Sequence, residues 1–257
     1  MKLLKAFGHL IIILTLTIIT QVGGLIWVIT SIISRRKGWK KLYLFVIIYF
    51  SFNLVIIPPI ASQFGRVQLP WFNDNLSPRN WFYPMAFRNY VNPELKNLLL
   101  ESSRTSNIKI TYLDANFPFF DGFLLLPHLS HDDGKKIDIS FNYIEKDGTK
   151  TNKKPSVSGY GSYIKPESRT SKNCKNQGYW QYDFPKYLTF GIINDDLKLD
   201  SKSTSKLIKV LSSNSKTQKI FIEPHFKRSL GLENEGKIRF HGCQAVRHDD
   251  HIHLQIK

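Results

Sequence analysis

Hydrophobic and polar positions along the chain follow three patterns in succession. The 29 residues between Lys5 and Arg35 carry no formal charge, and a second uncharged run extends from Leu42 to Gly65. A helix rises about 1.5 Å per residue and needs roughly 20 apolar residues to cross a bilayer. Both runs are long enough, and neither has a polar face, so residues 1–65 are predicted to form a transmembrane hairpin with spans over about 9–33 and 42–61. Pro58-Pro59 is expected to end or kink the second helix, and Gly23-Gly24 to let the helices approach closely. A cleaved leader has a shorter apolar region followed by small residues, which this run lacks.

Residues 66–107 form a juxtamembrane segment, rich in aromatic residues, Pro and Asn as far as residue 91. It closes on a helix whose start is marked by Asn92-Pro93 and whose apolar face is Leu95, Leu98 and Leu99. In residues 108–257 the period changes. A strand is expected at about 108–113, and KIDISFNYI alternates strictly, with Ile137, Ile139, Phe141 and Tyr143 opposite Asp138, Ser140 and Asn142, as a half-buried strand does. Residues 145–178 show no period and read as a long surface insertion lying over the active face. A Ser/Thr-capped helix over 204–211, strands at 219–224 and 237–240, and a final alternating strand from His251 complete the pattern. The fold class is therefore α+β: a small antiparallel sheet with flanking helices, preceded by the two-helix hairpin.

Charge sharpens this organisation. The chain has 257 residues and a net charge of +16 from 36 Lys and Arg against 20 Asp and Glu, which by itself suggests an anionic polymer as partner. No acid precedes Asp74, and Lys2, Lys5, Arg35, Arg36, Lys37, Lys40 and Lys41 give the hairpin +7. Five of these sit in the connector SRRKGWKK, so the positive-inside rule places that connector in the cytoplasm and both termini outside. The C-terminal domain, with the remaining +9, then lies beyond the cytoplasmic membrane, periplasmic or extracellular. That location and the lack of a motif exclude nucleic acid as partner; the lipid bilayer is one partner, and no protein partner is indicated. An oxidising compartment also permits Cys174 and Cys243, the only two cysteines, to form a disulfide or to remain two small buried residues.

Five of the eight histidines fall in PHLSHDDGKKID (127–138) and RHDDHIHLQ (247–255). Asp138 faces away from its strand's apolar side, and so do His251 and His253 from Ile252, Leu254 and Ile256. If the two strands are neighbours, His131, Asp138 and His253 converge. Two imidazoles and a carboxylate suit Zn²⁺ and leave a fourth position open, as catalytic zinc sites do. His251 and His248 are the candidates for moving the water's proton and stabilising the oxyanion. Glu223 is an alternative base; His225 and His241 are assigned structural or surface roles.

SHDDGKKID followed by HDDHIHLQ resembles the H-x₆-D and H-x-H motifs of the lysostaphin, D-Ala-D-Ala peptidase and hedgehog-domain group, most closely the penicillin-insensitive murein endopeptidases. The likeness covers about residues 108–257 and includes His128-Leu129-Ser130-His131 and Gly134. It implies that His131, Asp138 and His253 bind zinc, that His251 and His248 assist catalysis, and that His128 lines the site or adds a metal contact. The activity implied is hydrolysis of D-alanyl to diaminopimelate cross-links in peptidoglycan. A non-catalytic zinc-containing wall-binding or regulatory domain and a D,D-carboxypeptidase are the alternatives. The sequence departs from that family's pattern at Asp132 and Lys136, where Gln and an acid are usual, and in having membrane spans in place of a signal peptide.

Overall fold

The computed structural model of the chain describes residues 2–164 and 167–257; Lys165 and Pro166 of the expected insertion lie outside the described residues. The apolar first run is not one helix. It is divided into α1 (Lys2–Thr20) and α2 (Gly23–Lys37), and α3 (Lys41–Ser51) and α4 (Ile57–Gln63) come next, joined by a π-turn over Phe52–Ile56. The expected span over 9–33 is thereby corrected to two antiparallel helices. Thr20 Oγ1 donates to Leu16 O (2.6 Å) and accepts from Gly23 N–H (2.8 Å), which satisfies backbone groups left over where α1 stops. Gln21 then adopts φ 64°, the left-handed region rarely taken by residues other than glycine. Gly24 is required for the return: a Cβ there would overlap Thr17 Oγ1 and Ile13 O of α1.

Trp27 Nε1 donates to His9 Nδ1 (3.0 Å), and Lys41 Nζ lies 3.4 Å from His9 Nε2. The start of α1, the end of α2 and the start of α3 therefore share one end, and with them all seven cations. α1 and the helix continuous over Lys41–Gln63 are each long and apolar enough to cross a membrane. The π-turn immediately before Pro58 and Pro59 absorbs the backbone bonds these residues cannot make, so the helix continues to Gln63 without ending at the prolines.

The chain forms two compact units, and neither is continuous in sequence. The first joins residues 1–69 with 82–93 and 115–134; the second comprises 70–81, 94–114 and 135–257. In the first unit, Val22, Ile26, Ile57 and Ala61 of the helices share a core with Phe87, Tyr90, Phe117 and Leu125. Asn53, buried in the π-turn, donates through Nδ2 to Pro84 O (2.9 Å), and Tyr49 OH donates to Met85 O (2.7 Å). The 115–134 segment takes an irregular path closed by Gly134, at φ 75°, where a Cβ would run into the Arg66 guanidinium.

The second unit is built on a six-stranded sheet in the order Ile238–Arg239, Thr217–Phe221, His251–Ile256, Lys136–Ser140, Ile110–Tyr112, Leu76–Pro78. Its two outer pairs are parallel and its inner pairs antiparallel, a mixed sheet in place of the antiparallel one expected. Helices Pro93–Ser106 and Ser201–Ser213 bury Leu95, Leu98 and Leu99 and Leu207, Ile208 and Leu211 respectively. The second is capped by Asp200, whose Oδ1 accepts from Ser203 N (2.9 Å), earlier than the Ser/Thr start read from the sequence.

KIDISFNYI also differs from expectation. Its pairing in the main sheet ends at Ser140, and Tyr143–Ile144 joins a separate three-stranded sheet with Lys150–Thr151 and Lys198–Leu199. Between them Asn142 N donates to Thr204 Oγ1 (3.2 Å) and Phe141 O accepts from Lys154 Nζ (2.8 Å), so side chains take the bonds a continued ladder would use. Both faces of 137–140 are buried. The insertion is likewise packed more closely than a surface loop: Lys154, Ser156, Tyr160, Ser171 and Cys174 are buried, strand Lys150–Thr151 and helix Arg169–Asn176 give it regular structure, and a 3₁₀ stretch Trp180–Leu188 follows it.

Candidate metal centre

Strand register brings the candidate ligands together. Lys136–Ser140 and His251–Ile256 pair antiparallel with Asp138 directly opposite His253, and the carboxylate Oδ1 lies 2.9 Å from His253 Nδ1. One ligand atom from each of His131, Asp138 and His253 falls within 4.8 Å of the others, and all three residues are buried. This group could hold a metal ion. His131 Nδ1 lies 2.9 Å from Ala115 O. A carbonyl only accepts, so Nδ1 carries the proton and Nε2 the lone pair, the tautomer and orientation that metal-ligating histidines adopt.

Asp138 is oriented in turn by a residue the sequence did not single out. Tyr160 OH donates to Asp138 Oδ2 (2.7 Å) and accepts from the Asp114 backbone N–H (3.1 Å). This turns Oδ1 toward His253 Nδ1 and His251 Nε2, the latter at 3.7 Å. Two imidazoles and a carboxylate, with outer partners orienting His131 and Asp138, are a donor set suited to a metal ion.

His251 precedes His253 by two on the same strand. Its Nδ1 is 2.5 Å from Asp250 Oδ1, and the other oxygen of Asp250 accepts from Gly161 N–H at 2.5 Å. Burial alone lowers the imidazole's pKa, but Asp250 and Asp138 more than offset it and raise it to about 9. His248 goes the other way: burial, then the neighbouring His251 and His253, push it well below the usual histidine range. The two rings are 4.9 Å apart, one favouring the imidazolium and the other the neutral base.

His128 lies beside His131, with ring centroids 5.4 Å apart and the planes tilted by 38°, but is outside the three-residue ligand group. Glu223 is a tether: Oε2 accepts from Tyr182 OH (2.7 Å) and Oε1 from His248 N–H (3.1 Å), and burial raises its pKa. It holds the His248 backbone in place. His241, expected to be structural or superficial, packs on Phe221 at 4.1 Å and stands 5.7 Å from the His248 ring. His225 takes no part in the ligand group.

Arg247 and Asp249 extend the network. The guanidinium forms a two-pronged pair with Asp249, reaches Asp183 at 3.1 Å, and lies 3.7 Å from the centre of the Tyr163 ring. These carboxylates, Asp249 foremost, outweigh burial and raise the Arg247 pKa, so the guanidinium stays charged. Cys174 and Cys243 form a disulfide with Cα atoms 5.2 Å apart, tying helix Arg169–Asn176 to the segment that leads into His248. Tyr160 carried no signal in the sequence, because its partners Asp138 and Asp114 lie far away along the chain; Arg247 has Asp249 two residues on, but its reach to Asp183 is equally hidden.

No protein-family model and no curated protein sequence matches this chain.

Proposed function

We propose that the protein is a membrane-anchored zinc metallopeptidase that hydrolyses peptide cross-links of peptidoglycan, of the D-alanyl to diaminopimelate type. The observation that carries this reading is the register that sets Asp138 against His253 with His131 at ligand distance, flanked by two histidines with opposed protonation preferences. A zinc ion held there would supply a Lewis acid and a water of lowered pKa. His131, Asp138 and His253 would hold the ion, with Ala115 O and Tyr160 orienting the first two. His248, kept neutral by burial and then by the neighbouring His251 and His253, accepts a proton; His251, paired with Asp250, donates to the oxyanion that develops on the scissile carbonyl. A domain that only binds has no need of such a pair.

The anchor supports the location. With Lys2, Lys5, Arg35, Arg36, Lys37, Lys40 and Lys41 at one end of the helical bundle, the positive-inside rule places that end in the cytoplasm. The chain's N-terminus then faces inward, unlike the arrangement read from the sequence, and the end of α4 and the chain beyond Gln63 face outward. The positive outer domain would be drawn to an anionic wall.

The test is metal analysis of the full-length protein in detergent, coupled to identification of products from cross-linked muropeptides. About one zinc per chain and chelator-sensitive release of monomers are expected. Zinc-loaded protein that releases nothing while a control endopeptidase is active overturns the peptidase reading. Release of terminal D-alanine alone reassigns it to a carboxypeptidase.

A further inference from the structure

The segment Phe117–Leu129, sequence FPFFDGFLLLPHL, divides its apolar residues in two. Phe117 and Leu125 are buried in the core shared with α2 and α4, and Phe119 and Phe123 pack against it. Phe120, Leu124, Leu126 and Leu129 point out and are 63%, 62%, 48% and 55% exposed. Four large apolar side chains on one irregular loop make a patch that a water-facing surface seldom carries.

What covers the patch is indicated by where the loop is fastened. Gln21, in the turn between α1 and α2, donates through Nε2 to Phe119 O (3.1 Å) and accepts through Oε1 from Phe119 N–H (2.9 Å). Phe64, just past the end of α4, lies 5.0 Å from the Phe119 ring and 5.3 Å from that of Phe120. The loop therefore sits at the end of the helical bundle opposite the cations, at the level where both long apolar helices stop. Its one acid, Asp121, is paired with Arg66, so the patch presents little net charge to lipid.

We propose that the 117–129 loop is an interfacial membrane element: Phe120, Leu124, Leu126 and Leu129 enter the boundary between headgroups and acyl chains on the outer face of the bilayer that the helices cross. The proposal rests on the membrane reading of the helices and extends it from spanning helices to a loop that lies on the surface. Aromatic and aliphatic side chains at that depth gain burial while the loop's backbone remains within reach of water and headgroups. The loop ends two residues before His131, so one candidate ligand is carried on a segment held at the lipid surface.

The experiment uses the full-length protein in phosphatidylcholine and phosphatidylglycerol nanodiscs. Both native cysteines are in the disulfide, so Phe120→Cys and Leu124→Cys each provide one thiol for a nitroxide, and Ile47→Cys, an exposed position of α3, reports on the span. Collision with oxygen is compared with collision with a water-soluble nickel chelate. Oxygen exceeding nickel at Phe120 and Leu124, at a shallower depth than Ile47, is expected. Nickel exceeding oxygen at both loop positions while Ile47 reads as lipid overturns the loop proposal alone. Labels at both loop positions shielded from both reagents mean that protein, such as a second copy of the chain, covers the patch, and overturn it too. A water-like Ile47 overturns the membrane reading and the proposal with it.

Discussion

Asp138 and His253 face each other across an antiparallel strand pair, 115 residues apart in sequence and 2.9 Å apart at Oδ1 and Nδ1. A metal ion that draws one ligand atom from each residue would tie the two strands together at this point. His253→Ala should therefore abolish metal retention, read as zinc per chain after dialysis. His251→Ala should keep the metal and lose activity by at least about 100-fold, as removal of an acid–base group does. Equal zinc in the wild type and His253→Ala would remove His253 from the ligand set.

Asp250 holds His251 from outside the ligand group. Asp250→Asn keeps the shape but removes the charge that favours the imidazolium and the second acceptor geometry. A fall in kcat of about 10–100-fold with unchanged zinc content is expected, in line with losses of such outer partners. A fall in zinc content with unaltered kcat per bound metal would reassign Asp250 to the ligand sphere.

Tyr160→Phe deletes the hydroxyl that joins Asp138 to the Asp114 backbone N–H. Two buried partners lose a bond at once, at a cost of roughly 1–3 kcal/mol for each left unsatisfied. Zinc affinity should drop by about 10–100-fold, measured by competition with a chelating dye. Affinity within a factor of two of wild type would show that Tyr160 does not orient the carboxylate.

Lys154 is buried, with its ammonium against Phe141 O at 2.8 Å, and burial, then Arg79 and Lys109, lower its pKa to about 7. Between about pH 7 and the ordinary lysine value near 10.4 the unfolded chain binds the proton and the folded chain does not, so stability rises with pH across that window. Lys154→Met should flatten this part of the curve. The quantity to monitor is the difference in melting temperature between the two proteins from pH 7 to 10; a constant difference would mean that Lys154 is charged in the fold.

The disulfide closes a loop with a sequence separation of 69, and chain-entropy reasoning assigns about 4 kcal/mol to a loop of that size. Replacing Cys174 and Cys243 together by serine should lower the melting temperature measurably and loosen the segment leading to His248. Unchanged proteolysis between residues 167 and 247 in the double variant would show that the packing around Arg247 suffices to hold it.

Periodic positions were legible from the sequence, and long-range partners were not. Ile137, Ile139, Ile252, Leu254 and Ile256 alternate as buried strand positions do, and their alternation alone puts Asp138, His251 and His253 on polar faces. The helix of Leu95, Leu98 and Leu99 was equally plain. The break at Gln21 was hidden because hydropathy reports how apolar a stretch is and says nothing of chain reversal. Length held the clue: 29 uncharged residues would make a helix of about 43 Å at 1.5 Å per residue, well beyond a bilayer core of about 30 Å. Tyr160 was invisible because a hydroxyl in an aperiodic stretch acquires its meaning only from Asp114 and Asp138.

The core that joins Val22, Ile26, Ile57 and Ala61 to Phe117 and Leu125 bears on how this chain can change over generations. Terminal helices that hang from a linker can be traded between proteins by recombination at the linker, with the folded part left intact. Here the stretch from Ala115 to Gly134, which includes His131, takes its apolar partners from the helices themselves. Exchange of these helices for unrelated ones would strip that stretch of its apolar interior, so the helices and the stretch that carries His131 are expected to vary together.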